Sequence, residues 1–190
     1  MNYEPLKANG FYHIFNRGNN REDIFIEERN YHYFLKLIEN HITPVAYIYS
    51  YCLLKNHFHL LIQTKENIED QLISRAFSNL FNAYSKAINK AYQRRGSLFQ
   101  DRFKRIEIKD EHYLQTLILY IHLNPLNHGM VKDFTTYNHS SFTSLASGNI
   151  RFLKSEDIYN LFGGRENFII THYQRQEEIL EIKDSNFFDN

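Results

Sequence analysis

The stretch VAYIYSYCLLKNHFHLLIQ, from Val45 to Gln63, predicts two buried strands joined by a tight turn. Its first part, Val45 to Leu54, is apolar, β-branched and aromatic, which is typical of a strand inside a sheet. Lys55 and Asn56 supply the turn, and His57 to Gln63 supplies the second strand. The chain is therefore expected to be built around a hairpin, with further strands contributed by more distant segments.

The segments around this hairpin complete an order of strand, helix, strand, strand, helix, strand, helix. Hydrophobic spacing predicts two further strands, at Gly10–Arg17 and Phe99–Lys109. It predicts three helices, at Glu27–Ile42, Ile68–Gln93 and Glu111–Leu123. Pro125 and Gly129 are expected to end the last helix. The first six elements have the order of a ferredoxin-like or RRM-like fold of the α+β class. In that fold an antiparallel sheet carries its helices on one face and can leave the other open for a ligand.

The C-terminal third is less regular and acidic. We expect residues 1–130 to form the core and residues 131–190 to form a C-terminal helical extension packed on it. The extension is predicted to contain a short helix near Ser155–Phe162 and a longer one near Asn167–Ile182. From Ser155 to Asn190 there are eight acidic and three basic residues, a net charge of −5.

Composition limits the class of protein. A hydrophobic fraction of 43% and a charged fraction of 23% exclude a disordered chain, and the absence of a run of about 18 apolar residues argues against a membrane-spanning helix. Cys52 is the single cysteine and lies in an apolar run, which favours a core position in a reduced, cytoplasmic protein.

The zero net charge hides a basic segment. Between Arg75 and Lys109 there are nine basic and two acidic residues, a net charge of +7. Such an excess can neutralise several phosphates of a nucleic acid. A solvated helix face with its counter-charges elsewhere would have the same composition, so charge alone leaves both interpretations open.

Two histidines lie on one face of the second hairpin strand. Side chains at positions i and i+2 of a strand point to the same side, so His57 and His59 project together while Phe58 faces the core. Two neighbouring imidazoles suit a divalent cation. As an isolated pattern, however, such a pair is more often simply hydrogen-bonded or exposed.

The run Asn56-His57-Phe58-His59-Leu60-Leu61 resembles the HUH signature of single-strand DNA nickases. It is similar in particular to the NHxHLL form of single-tyrosine transposases, including the REP-associated tyrosine transposases. Four further motifs resemble that family in order, over roughly residues 10 to 145: FYHIFNRG at 11–18, LFQDRFK at 98–104, YIHLNP at 120–125 and SSF at 140–142.

The resemblance implies an active site. Tyr120 would be the nucleophile, and Asn124, one helical turn later on the same face, would join His57 and His59 as a metal ligand for Mg²⁺ or Mn²⁺. Relatives often have glutamine in place of Asn124, although the REP-associated branch has asparagine. The alternatives are a core position for Tyr120 and Tyr113 as the nucleophile.

The implied reaction is cleavage of single-stranded DNA that bears hairpins or palindromic repeats, with a 5′-phosphotyrosine intermediate and a free 3′-hydroxyl. Relatives act as monomers or as a homodimer with exchanged tyrosine helices. The candidate DNA-binding residues are basic or lie beside the basic strand: Arg17, Arg94, Arg95, Phe99, Gln100, Arg102, Lys104 and Arg105. For each, surface solvation is the alternative.

Three other functions remain compatible with parts of the pattern. The first is a catalytically inactive RRM-like nucleic-acid-binding protein that keeps the fold. The second is a metal-independent RNA endonuclease that uses histidine. The third is a small-molecule-binding regulator, which would leave the basic segment and the histidine pair unexplained.

Overall fold

The computed structural model describes the backbone of residues 5–188 and the side chains of residues 5–181. Its sheet has four strands: β1 Phe11–Arg17, β2 Ala46–Leu54, β3 His57–Thr64 and β4 Lys104–Ile108. Their spatial order is β2-β3-β1-β4, and every neighbouring pair is antiparallel. This is the strand order of the ferredoxin-like fold, so the α+β class predicted from the sequence is confirmed.

Six α-helices accompany the sheet in the described part of the chain. They are α1 Glu28–His41, α2 Asp70–Ala91, α3 Glu111–Asn127, α4 Phe142–Ser147, α5 Ser155–Phe162 and α6 Arg165–Phe188. None of the helices described is both long and apolar enough to cross a membrane.

The helices α1 and α2 cover one face of the sheet. Phe58 of β3 is fully buried there, with its ring centroid 5.2 Å from that of Phe34 in α1 and 5.7 Å from that of Phe81 in α2. Both helices have one apolar stripe at helical spacing, which is the pattern that predicted them. The alternation of β3 therefore sends His57 and His59 to the opposite face.

The helix α3 lies on that opposite face, against β2, β3 and β4. The expectation that all helices lie on one face of the sheet therefore holds for α1 and α2 but not for α3. It is apolar around most of its circumference because the sheet is on one side of it and α6 is on another. The face that the sequence left open for a ligand is therefore partly covered by the helix that carries Tyr120.

The predicted end of α3 at Leu123 is wrong, since the helix continues through Pro125 to Asn127. A proline inside a helix removes one backbone hydrogen bond. The last turn persists because Pro125 and Leu126 are buried. Two backbone hydrogen bonds close it, from His128 N to the Asn124 carbonyl oxygen (3.0 Å) and from Met130 N to the Pro125 carbonyl oxygen (2.9 Å). Gly129, at φ +66°, follows the helix.

The strand predicted over Phe99–Lys109 is interrupted. Phe99 pairs with Gly18 in an isolated bridge, whereas Lys104, the first residue of β4, pairs with Phe15 of β1. The segment from 99 to 104 therefore contains two more residues than a continuous ladder would use, and these residues bulge away from β1. The bulge leaves a gap at the edge of the sheet.

Residues after 130 share the hydrophobic core with the sheet. Phe134, Phe142 and Phe168 are buried together, and α6 runs along α3. The proposed division into a core of residues 1–130 and an extension of residues 131–190 remains a prediction.

Candidate active site

The two histidines of β3 lie side by side. The ring centroids of His57 and His59 are 5.3 Å apart, and the rings are nearly perpendicular. In both rings Nδ1 is engaged: that of His57 lies 2.7 Å from Asn56 Oδ1, and that of His59 lies 2.9 Å from Nε2 of His13. Partners of this kind fix the orientation of a metal-binding imidazole. Each Nε2 therefore remains for a ligand.

Burial keeps these imidazoles neutral. It lowers the pKa of His57 to about 4, with His128 and Arg17 acting in the same direction and the Asn124 amide opposing them. Burial also lowers the pKa of His13 to about 4 and that of His59 well below its ordinary value. A neutral imidazole offers the lone pair that a cation needs, so the chemistry of this pair fits a divalent metal.

Tyr120 projects from α3 towards the same histidines. Its ring centroid is 5.6 Å from that of His59 and 6.4 Å from that of His13. The side chain is 43% exposed, which excludes the core position considered from the sequence. Tyr113, the alternative on the same helix, is also exposed but does not line the cleft that contains the histidines.

Asn124 is the candidate third ligand beside the two histidines. The residue is completely buried beside the His57 ring, whose pKa its amide raises, and neither its Oδ1 nor its Nδ2 makes a hydrogen bond of good geometry. Each unsatisfied buried polar group costs about 1–3 kcal/mol. An amide oxygen is a ligand that Mg²⁺ and Mn²⁺ accept, so the residues present fit such an ion.

The proposed metal site would contain no negatively charged ligand from the described residues. Among the described residues there is no cluster of three or more histidine, cysteine or carboxylate side chains that could hold a metal. Any cation at this position would therefore depend on two imidazoles and one amide from the protein, with its remaining positions left for water or phosphate oxygens.

The cleft around these side chains has a volume of about 270 Å³. Besides the two histidines and Tyr120, its lining includes Arg17 and Lys104, which make it basic, and Gln100. These three were predicted DNA-binding residues, and the structure brings them to the histidines. Lys104 also lies over the ring of Phe15, with Nζ 5.9 Å from the centroid.

The other predicted DNA-binding residues lie elsewhere. Arg102 and Arg105 line a neighbouring groove, and Arg95 is exposed. Arg94 forms an ion pair with Glu22. Phe99 is only 6% exposed because its ring packs against aromatic rings of the core, so it does not present the free stacking surface that was expected.

Three residues of the site were missed in the sequence. His13 and Asn16 lie in the β1 motif, where the two-residue spacing of His13, Phe15 and Arg17 could have placed His13 on the histidine face. His128 lies four residues after Asn124, and its ring centroid is 5.1 Å from that of His57. Ending the helix at Leu123 concealed that relationship.

Comparisons with known proteins identify relatives of this chain. The family model described as Transposase IS200 like matches residues 7–124, more than half of the chain. A chain of Haemophilus influenzae assigned to the REP-associated tyrosine transposases is 33% identical over 98 residues, which cover 48% of this chain and 56% of that relative. This chain therefore matches little more than half the length of that relative.

A solved structure shows the same fold. The structure of a REP-associated tyrosine transposase bound to a REP hairpin has a TM-score of 0.61 and 19% identity, over 83% of this chain and 92% of that one. The family match begins before β1 and ends at Asn124 in α3, so it includes both histidines of β3 and Tyr120. The chain belongs to the IS200-like transposase family.

Proposed function

We propose that this protein is a metal-dependent enzyme that nicks and rejoins single-stranded DNA containing hairpins or palindromic repeats. The observation that carries the proposal is the approach of Tyr120 to His59, with 5.6 Å between ring centroids, in a basic cleft. The substrate class is suggested by the relative whose structure holds a REP hairpin. Family membership supports the transposase chemistry.

In the proposed reaction the phenol oxygen of Tyr120 attacks the scissile phosphorus. The bond from phosphorus to the 3′ oxygen breaks, the phenol loses its proton, and the leaving 3′ oxygen gains one. The products are a 5′-phosphotyrosine and a free 3′-hydroxyl. Because the phosphotyrosine bond remains a diester, a 3′-hydroxyl from another strand can reverse the step and join the strands.

His57, His59 and Asn124 would hold Mg²⁺ or Mn²⁺. Such an ion, when bound, withdraws charge from the phosphate oxygens and orients the scissile group. The protein prepares for it by keeping both imidazoles neutral and by fixing the His57 ring through Asn56 and the His59 ring through His13.

The basic residues would position the strand. Arg17 and Lys104 in the cleft would bind phosphates, with Arg102 and Arg105 of the neighbouring groove and the exposed Arg95 extending the path. Gln100, exposed at the cleft, would contact a base. The ion pair of Arg94 and the packing of Phe99 give these two residues a role in the scaffold instead.

Tyr120 and the histidines meet within one chain, which supports a monomer that cleaves in cis over a homodimer that exchanges tyrosine helices. A cytoplasmic setting is consistent with the free, buried thiol of Cys52.

The decisive experiment is incubation with a single-stranded hairpin oligonucleotide and Mn²⁺. We expect a covalent protein–DNA adduct that mass spectrometry maps to Tyr120. Tyr120→Phe should form none, whereas Tyr113→Phe, an exposed tyrosine of the same helix, should form as much as the parent. An adduct on another tyrosine would contradict the proposal. Hairpin binding without cleavage would favour the inactive RRM-like protein, and chelator-resistant RNA cleavage would favour the RNA endonuclease.

A further inference from the structure

The segment that follows the tyrosine helix returns to the edge of the sheet. The strand β2 is outermost on its side, and residues 139–141 run beside it. Leu53 N donates to the carbonyl oxygen of His139 at 2.9 Å, and Ser141 N donates to the carbonyl oxygen of Tyr51 at 3.0 Å. The SSF motif, which the proposed reaction does not use, is thereby fixed to the sheet.

Ser141 extends this connection into α3. Its side chain is fully buried, and its Oγ lies 2.9 Å from Tyr51 N, which donates to it, and 2.7 Å from Nε2 of His122. The other ring nitrogen of His122, Nδ1, lies 2.8 Å from Nε2 of His172 in α6. The sheet edge and α6 therefore hold the same imidazole of α3 from two sides. We call Ser141, His122 and His172 the helix clamp.

The clamp grips α3 at the level of the reacting groups. His122 is two residues after Tyr120 and two before Asn124, so it lies within about 3 Å of each along the helix axis. A step of two residues turns a helix by about 200°, which sends His122 away from the cleft. Its ring is completely buried, and none of the three clamp residues lines the cleft.

The clamp supplies directional contacts to a helix that is otherwise held mostly by apolar packing. The buried face of α3 consists largely of leucine and isoleucine side chains. Apolar contacts have no preferred direction, whereas a hydrogen bond weakens steeply when its length or angle changes. The clamp therefore favours one rotation and one height of α3 on the sheet. Both matter for a nucleophile, because a displacement of about 1 Å can lower the rate on the order of 100-fold.

We propose that the helix clamp positions Tyr120 against His57 and His59. The inference rests on the proposed nicking activity. It makes Ser141, His122 and His172 positioning residues that touch neither DNA nor metal. It also makes the chain after residue 130 a part of the catalytic unit, because that part supplies two of the three clamp residues.

The kinetic test compares rates of adduct formation in a single turnover, at saturating Mn²⁺ and hairpin oligonucleotide. His122→Phe keeps a buried aromatic ring but loses both hydrogen bonds, so its rate constant should fall on the order of 10- to 100-fold. The final amount of adduct per molecule of folded protein should stay the same. His122→Gln, whose amide can donate to His172 and accept from Ser141, should recover part of the rate. Ile38→Val, buried in α1, lowers stability away from the clamp and should keep the parent rate.

A spectroscopic test measures the position of residue 120 without DNA or metal. The fluorine resonance of 3-fluorotyrosine placed at this position reports the nearby rings of His59 and His13, whose centroids lie 5.6 and 6.4 Å from that of Tyr120. We expect one sharp resonance in the parent and in Ile38→Val. In His122→Phe the resonance should be shifted or broadened, and His122→Gln should restore it in part.

Three outcomes would overturn the inference: an unchanged rate in His122→Phe, a reduced amount of adduct that still forms at the parent rate, or a slower rate with an unchanged resonance. The second outcome would show that the clamp serves stability alone. If the parent forms no adduct, the proposed function fails. The fluorine resonance then still decides whether the clamp sets the position of Tyr120.

Discussion

Nδ1 of His122 lies 2.8 Å from Nε2 of His172, and both rings are fully buried. His172 Nδ1 lies 2.6 Å from the Phe168 carbonyl oxygen and must donate to it, so its Nε2 accepts from His122. His122 Nε2 then accepts from the Ser141 hydroxyl at 2.7 Å. This chain of hydrogen bonds requires His172 to be neutral, and burial, which lowers the pKa of His122, keeps His122 neutral as well. The chain ties the tyrosine helix α3 to the C-terminal helix α6.

The histidine pair should make the protein sensitive to acid. Burial lowers the pKa of His172 to about 4 and that of His122 well below its ordinary 6.5. The unfolded chain therefore binds protons first as the pH falls, and stability that is complete above pH 6.5 is lost progressively towards pH 4. We expect the free energy of unfolding in urea to fall over that interval by up to about 1.4 kcal/mol per pH unit for each buried histidine.

His172→Leu separates this network from general acid denaturation. At pH 8 it leaves the His122 donor unsatisfied and should lower the free energy of unfolding by about 1–3 kcal/mol. Between pH 6.5 and 4 the slope of its free energy of unfolding against pH should be smaller than that of the parent, by the amount that corresponds to the uptake of about one proton. Gln174→Leu, on the exposed side of α6, should leave the pH profile unchanged. An identical profile in His172→Leu would refute the role of this pair.

Removing His13 should weaken metal binding although His13 is not a proposed ligand. It orients His59 through the 2.9 Å contact, and loss of such a partner typically costs about 10- to 100-fold in affinity. His13→Ala should therefore raise the Kd for Mn²⁺, measured by calorimetry, by that factor, and His13→Gln should recover part of it. His112→Ala, on an exposed turn of α3, provides the control. Unchanged affinity in His13→Ala would show that His59 is held by other contacts.

Asn124 should lower the stability of the metal-free protein while contributing to metal binding. Replacement by leucine removes two unsatisfied buried polar atoms, so Asn124→Leu should raise the free energy of unfolding of the metal-free protein by about 1–3 kcal/mol. The same change removes a proposed ligand and should weaken Mn²⁺ binding by about tenfold or more. Asn127→Leu, exposed on the same helix, should do neither. A destabilised Asn124→Leu protein that binds Mn²⁺ normally would contradict the assignment.

Lys104 should contribute to the salt dependence of DNA binding. In single-stranded DNA each neutralised phosphate contributes about 0.7 to the slope of log K against log salt concentration. Lys104→Gln should lower the slope by about that amount, measured by fluorescence anisotropy in the Tyr120→Phe protein. Lys36→Gln, exposed on α1 and outside the cleft lining, should not change the slope. Equal slopes for both variants would remove Lys104 from the phosphate path.

Part of this active site could be predicted from local sequence because two regular periods determine it. A strand has a repeat of two, so His57 and His59 had to share a face once the hairpin was recognised. A helix has a repeat of 3.6, so Tyr120 and Asn124 had to share another. The order of the elements likewise followed from hydrophobic spacing and was enough to predict the strand order of the sheet.

Errors arose where a local preference competes with packing. Pro125 normally ends a helix, but the burial of its neighbours keeps the last turn formed and brings His128 to His57. The bulge between Phe99 and Lys104 is not visible as a period, yet it creates the groove beside the cleft.

The sequence by itself determined which side chains share a strand face or a helix face, because those relationships depend only on backbone geometry between near neighbours. Tertiary structure alone decided that α3 crosses the histidine face, that His13 supports His59, and that His172 secures His122. These contacts join residues 46 to 50 positions apart, or helices to strands. They depend on how whole surfaces fit together and exclude water, which no local pattern records.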